Sequence, residues 1–327
     1  MTLFLSTIAA LSCAILVLLA IYQLAMYVNL YMIKTNEAQG AFGGLPESLA
    51  GVDVQIHTPD GAILNLWHRG SGPAVILLHD LGMNAAAWHP VWSRLANYGY
   101  RVIALDLRGH GSSSLGNGQV NLAQLQTDFH LAMDHMNVQN AWVLGHGLGA
   151  SIALDFLQNQ PMSARRFIAG VVCVGGHSQG ESMGNLKYAW VRNSIGTTRF
   201  QRLLRLPSYG WGFASSAFGS DVSPKMIQSF LGLLQKGPMT AYRTVLGELA
   251  KAQSRFGRIG VPVLILASLN DRKFSLKSAH DLVKALPMGA LQIMPDYVGN
   301  MMIWECPNQL VEGFRAFSRG SDESLAS

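Results

Sequence analysis

The sequence predicts an α/β protein: a mainly parallel, doubly wound sheet, interrupted by a helical cap and preceded by an N-terminal transmembrane helix. Three observations predict it. Short, continuously apolar runs such as AVILLH (74–79), RVIALD (101–106) and VPVLILAS (261–268) read as strands covered on both faces. These runs alternate with longer stretches of helical period, the rhythm of βαβ units. Residues 2–33 carry no charged side chain at all.

That apolar stretch, roughly 45 Å long as a helix at about 1.5 Å per residue, exceeds the roughly 30 Å of a hydrocarbon core. Tyr22, Tyr27 and Tyr31 sit towards its far end, where amphipathic rings suit a membrane interface. A cleaved signal peptide expects a basic leader, a shorter apolar run and a small-residue cleavage site, and the sequence offers none of these. The expectation is a single-pass anchor over 1–33. Lys34, the basic residue near its ends, favours a cytoplasmic domain after it. Residues 34–51, rich in glycine and small side chains, read as a linker.

The predicted core occupies 52–178 and 256–319. VDVQIH (52–57) and AILNLWH (62–68) flank the turn signal TPDG and read as a hairpin at one edge of the sheet. Further strands are read at AWVLG (141–145), AGVVCVG (169–175) and LQIMP (291–295). Helical periods cover about 84–97, 120–137, 148–160 and 276–286, with a last helix over 307–318 and a tail over 320–327. Between Gly175 and Val261 no buried strand is legible, so 179–255 reads as a cap inserted above the sheet.

Charge is concentrated in the cap. Only 13% of residues are charged, and the chain carries a formal +5. Between Gly184 and Arg255, ten Lys or Arg face two acids, Asp221 and Glu248, so that segment is +8 and the remainder −3. This asymmetry calls for an anionic partner. No nucleic-acid recognition motif is present, and the anchor points to a membrane surface instead. Within 186–219 basic residues alternate with aromatics including Trp190 and Trp211. Two readings stay open: a face that docks on anionic headgroups, or a small aromatic cap core with a solvated basic exterior.

Cofactor and metal signals are absent from the sequence. Cys13, Cys173 and Cys306 are scattered, and no Cys or His spacing suggests a metal. GHGLG (145–149) lacks the G-K-[ST] ending of a phosphate loop. Cys173 lies inside an apolar strand and reads as core.

Five motifs carry a resemblance. LLHDLGMNAAAW (77–88), DLRGHGSSS (106–114), GHGLG (145–149), LASLNDRKFS (266–275) and VGNMMIWECP (298–307) resemble, in order and spacing, the signature loops of the α/β-hydrolase family. The resemblance covers about residues 50–318. An anchor followed by such a domain is similar to membrane-bound monoacylglycerol lipases and related esterases. In that family a serine on a strand-to-helix elbow attacks a carbonyl, a histidine takes its proton and an acid orients the histidine. Two backbone N–H groups hold the oxyanion.

Carried onto this chain, the resemblance places the acid at Asp271 and the oxyanion donors at the N–H groups of Leu81 and Leu148. It places the nucleophile at Gly147, which has no side chain, and the histidine at Asn300, which does not accept a proton near neutral pH. Asp80 stands where a glycine is usual. Its carboxylate either opposes a second negative charge at the hole, or turns to solvent or bonds a loop N–H. Ser151 reads as a small helix residue rather than a substitute nucleophile. His146 is expected to leave the elbow on another face, and His79 and His110 to act as polar support. With Trp190 and Trp211, the residues His79, Asp80 and His146 are the candidate ligand-binding set. The expected function is a membrane-anchored pseudo-hydrolase that binds a lipid or another apolar small molecule, or scaffolds a membrane-protein partner, without nucleic acid or cofactor. The alternative is an active esterase or lipase on monoacyl lipids with an atypical nucleophile.

Overall fold

In a computed structural model of the chain, the described residues are 10–25, 43–117, 120–160, 164, 166–177, 194–220, 222–251 and 256–326. An eight-stranded sheet has the order β1-β2-β4-β3-β5-β6-β7-β8. The strands are β1 (Val52–His57), β2 (Ile63–Arg69), β3 (Ala74–Leu78), β4 (Arg101–Leu105), β5 (Ala141–Gly147), β6 (Ile168–His177), β7 (Val263–Ala267) and β8 (Gly289–Ile293). The β1–β2 and β2–β4 pairs are antiparallel and the remaining pairs parallel, so the expected hairpin forms one edge.

The continuous apolar runs become strands because both faces of the sheet are covered. Successive side chains point to opposite faces. On β3 and β4, Ile76, Leu78, Ile103 and Leu105 join one apolar cluster, while Val75, Leu77, Val102 and Ala104 join the other. The first cluster is closed by helices α3 (Leu122–His135) and α4 (Leu148–Asn159), through Phe129 and Phe156. The second is closed by α2 (His89–Asn97) and the final helix (Pro307–Ala326), through Trp92 and Phe314. The Asn121 side chain accepts a hydrogen bond from the Gln124 N–H and starts α3.

Four helices lie in the predicted cap: α5 (Thr198–Leu204), α6 (Pro207–Ser215), α7 (Pro224–Lys236) and α8 (Arg243–Lys251). After β7 come α9 (Leu276–Ala285), a short α10 (Met302–Glu305) and the final helix, α11. The expected tail from 320 is instead helical to Ala326. A single Gly320 costs only about 1 kcal/mol relative to alanine and does not stop a helix already running.

The N-terminal expectation is corrected. Residues 10–25 form a helix, α1, whose side chains are all exposed except Gln23, which is half-buried. Among the described residues, no helix is long and apolar enough to cross a membrane. The rest of the predicted span, 1–9 and 26–33, lies outside the described residues, as does Trp190.

Candidate functional site

Strand register builds the site. Leu78 of β3 pairs with Gly145 of β5 in a parallel ladder. Two residues further along each strand, Asp80 and Gly147 therefore lie side by side at the carboxyl ends, where the chain leaves β3 for opposite sides of the sheet. Such a switch point opens a crevice in an α/β sheet.

Gly147 has φ 50° and ψ −105°, and α4 starts at the next residue. This is the sharp elbow that the motif predicts, and the left-handed φ favours glycine. Gly149 permits the tight fit behind it: a Cβ there would lie 2.2 Å from the Leu78 carbonyl oxygen.

The space above Gly147 is filled by Asp80. A Cβ built on Gly147 would lie 2.3 Å from Asp80 Oδ1 and 2.4 Å from its Cγ. Oδ1 accepts a hydrogen bond from the Leu148 N–H at 2.8 Å, and the Leu81 N–H also favours the ionised carboxylate. These are the two predicted oxyanion donors. Lys273 Nζ stands 3.7 Å from Oδ2 and 5.5 Å from the ring centre of Phe230, a buried cap residue of α7. Burial acts to raise the Asp80 pKa, but Lys273, His146 and the two amides outweigh it and hold the group below the usual carboxylate range. Of the two orientations that the sequence left open, the carboxylate takes the one at the hole itself, where it opposes a second negative charge, rather than turning away.

Asn300 takes the place of an imidazole in a second network. Its Nδ2 donates to Asp271 Oδ2 at 2.9 Å and to the Gly175 carbonyl at 3.1 Å. Asp271 Oδ1 accepts from the N–H groups of Lys273 (2.7 Å) and Phe274 (3.0 Å). Burial raises the Asp271 pKa, opposed by Asn300 and these amides. The amide reproduces the donor of a histidine but presents no basic nitrogen.

The expectation for His146 is corrected. Its ring turns toward this network, with Nε2 lying 3.1 Å from the Asn300 carbonyl oxygen and 3.2 Å from Asn300 Oδ1. Two acceptors at Nε2 require the proton there, which leaves Nδ1 an acceptor, buried and without a partner. Burial lowers the His146 pKa, with Asp80 opposing.

His79 and His110 are both buried and serve as supports. His79 Nδ1 faces the Asp80 carbonyl at 2.8 Å and Nε2 accepts from the Leu107 N–H at 3.0 Å. Burial lowers its pKa to about 4, so the ring is neutral. Both ring nitrogens are thus occupied by backbone, and His79 offers no free atom to a ligand. His110 Nε2 accepts from Gly82 N–H at 3.1 Å. The loop between them is clamped by Arg108, which bonds Asp60 at 2.6 Å and Asp128 at 2.7 Å. Ser151 Oγ is buried and donates to the Gly147 carbonyl at 3.2 Å. Trp211 is half-buried and packs against the core under the cap.

Two functional side chains escaped the sequence reading. Lys273 lies in the LASLNDRKFS motif two residues after Asp271, and nothing in that local pattern ties it to Asp80. Glu305 ties the Asn300 loop to the cap, accepting from the Gly219 N–H at 2.8 Å and the Gly299 N–H at 3.0 Å. Burial pushes its pKa up to about 7. Between the unfolded value of 4.5 and about 7, the folded state binds more protons than the unfolded one. The stability this group contributes is therefore complete below 4.5 and is lost as pH rises through 7. The buried histidines His79, His110 and His146, whose pKa values burial lowers, act in the opposite sense over the same window, so Glu305 is read as a difference: relative to Glu305→Gln, the parent should lose a few degrees of melting temperature between the acid and the neutral side. Thermal melts of both proteins on the two sides of the window check this.

A cleft with a cavity volume of 270 Å³ lies between the loops after β3 and β4 and the carboxyl end of α7, lined by His110 but not by Gly147, Asp80 or His146. Trp67, Met83 and Leu233 supply apolar walls, and Glu47, Asp106 and Lys236 supply charge. Among the described residues there is no group of His, Cys, Asp and Glu arranged to hold a metal ion.

Comparison with known proteins agrees with this geometry. A family model described as "Alpha/beta hydrolase family" matches residues 75–312. An uncharacterized protein of Mycobacterium tuberculosis is 25% identical over 243 residues, covering 68% of this chain and 69% of its own length. The 3-oxoadipate enol-lactonase 2 of Acinetobacter baylyi is also 25% identical over 243 residues, covering 73% of this chain and 87% of its own. Among solved structures, an esterase from Exiguobacterium antarcticum superposes with a TM-score of 0.69 at 18% identity, over 82% of this chain and 100% of that one.

Proposed function

Because the chain belongs to the alpha/beta hydrolase family, we propose that it is a member without acyl-transfer activity, serving as a membrane-associated binding or scaffolding protein. One observation carries this reading: the Leu148 N–H that would hold an oxyanion already holds the Asp80 carboxylate. A substrate carbonyl cannot enter without expelling an anion that Lys273 also attracts. The elbow supplies no nucleophile at Gly147, and Asn300 supplies no base. Ser151 does not replace them, because it is buried within α4 with its hydroxyl bonded to the Gly147 carbonyl.

Membrane association is supported by α1. A helix with no charge and apolar on all sides is stable only inside protein or lipid. Here Leu11, Leu16, Leu18 and Leu24 are each more than 60% exposed. The cleft walled by Trp67 and Lys236 is where a small ligand would sit, and its 270 Å³ approaches the lower end of ligand-pocket volumes, about 300 Å³.

A fluorophosphonate probe and short p-nitrophenyl esters test the catalytic half of this reading. The expected result is no covalent labelling and no turnover above the buffer rate. Robust labelling that disappears in Ser151→Ala would refute it.

A further inference from the structure

We infer that the cap carries an arginine ridge that selects anionic phospholipid and sets the cap against the bilayer in which α1 lies; this rests on the membrane association proposed above. Three observations converge on it. First, α5 buries Phe200 and Leu204 against the core and turns Arg199 and Arg202 to solvent, with Arg205 exposed at its end. Spacing of three places these guanidinium groups along one side of the helix. Second, residues 194–220 contain no acidic side chain, so nothing within the segment neutralises the ridge.

Third, the ridge is joined to the apolar helix. Gln23 Nε2 of α1 donates to the hydroxyl of Ser208, and the Ser208 N–H donates to Gln23 Oε1 at 3.5 Å. Ser208 lies in the first turn of α6, three residues after Arg205, and the intervening Leu206 is 46% exposed. An uncharged helix, an exposed leucine and three exposed arginines thus form one continuous surface. An apolar body flanked by basic groups is the pattern that enters an interface while its cations meet lipid phosphates. An acidic protein would satisfy the arginines but would leave the uncharged helix without an apolar medium. The charge pattern therefore favours lipid.

Flotation of the full chain with vesicles provides the test. Vesicles of phosphatidylcholine alone are compared with vesicles in which a third of the lipid is phosphatidylglycerol. The full chain should float with both and partition at least roughly tenfold more strongly into the anionic vesicles, a preference that added salt weakens. In the Arg199→Gln/Arg202→Gln/Arg205→Gln variant that preference should fall to a small fraction of its parent value, while flotation with phosphatidylcholine is unchanged. Equal flotation of the parent with both vesicle types, or a preference that survives in the variant, overturns the ridge and leaves membrane association standing. No flotation of the parent with either overturns both. A circular dichroism melt of the variant matching the parent establishes that the variant is folded.

Discussion

Restoring the serine and the histidine together is expected to leave the protein inactive as long as Asp80 remains. Gly147→Ser/Asn300→His should hydrolyse p-nitrophenyl acetate no faster than the parent, whereas adding Asp80→Gly should raise kcat/KM by at least about 10³-fold. The reason is geometric. A side chain at 147 projects into the Asp80 carboxylate, 2.3 Å from its nearer oxygen. The same carboxylate holds the Leu148 N–H, one of the two that must receive the substrate's developing oxyanion. Each such donor is worth roughly 10²–10³ in rate when it is free. Asp271 already accepts from the side chain at 300, so a histidine there finds its orienting acid in place. Comparable activity in the double and triple variants would show that Asp80 does not guard the hole.

A Cβ at the elbow should cost about 3 kcal/mol, combining left-handed strain with the displaced hydrogen bonds of the carboxylate. For a domain of this size Gly147→Ala should lower the melting temperature by roughly 6–10 °C. Asp80→Gly alone should cost about 1–2 kcal/mol, because it vacates the Leu148 N–H, which water can then reach. The informative quantity is the combination. With the carboxylate gone, the alanine meets no collision, so the double variant should be more stable than the sum of the single losses by about 1 kcal/mol or more. Denaturant unfolding of the four proteins closes the cycle. Strict additivity would mean that the two positions do not touch in solution.

These two expectations mark where sequence reading stopped. The elbow, the acid Asp271 and the donor Leu148 were legible because each sits within a local pattern: an apolar strand, a glycine turn, the first residue of a helix. The absent side chain at Gly147 and the missing base at Asn300 were equally plain. The position of Asp80 was not. Its bond to Leu148 joins residues 68 positions apart, and only the β3–β5 register brings them together. His146 shows the same limit from the other side. Its ring was expected to turn away from the elbow, yet it meets Asn300, 154 positions along the chain. The apolar N-terminus reads as a membrane span, but among the described residues no helix is long and apolar enough to cross a bilayer, and the two ends of the predicted span lie outside them.

By itself, the sequence determined the order of strands and helices, the family's loops and the residue types, Gly147 and Asn300, that stand at the elbow and beside Asp271. Period, turn chemistry and side-chain identity are properties of a residue and its near neighbours. Only the tertiary structure decided what occupies the oxyanion site, which cation balances it and which cap helix adjoins the apolar one. Those are contacts between distant segments, and strand pairing and packing across the sheet select them after the local elements have formed.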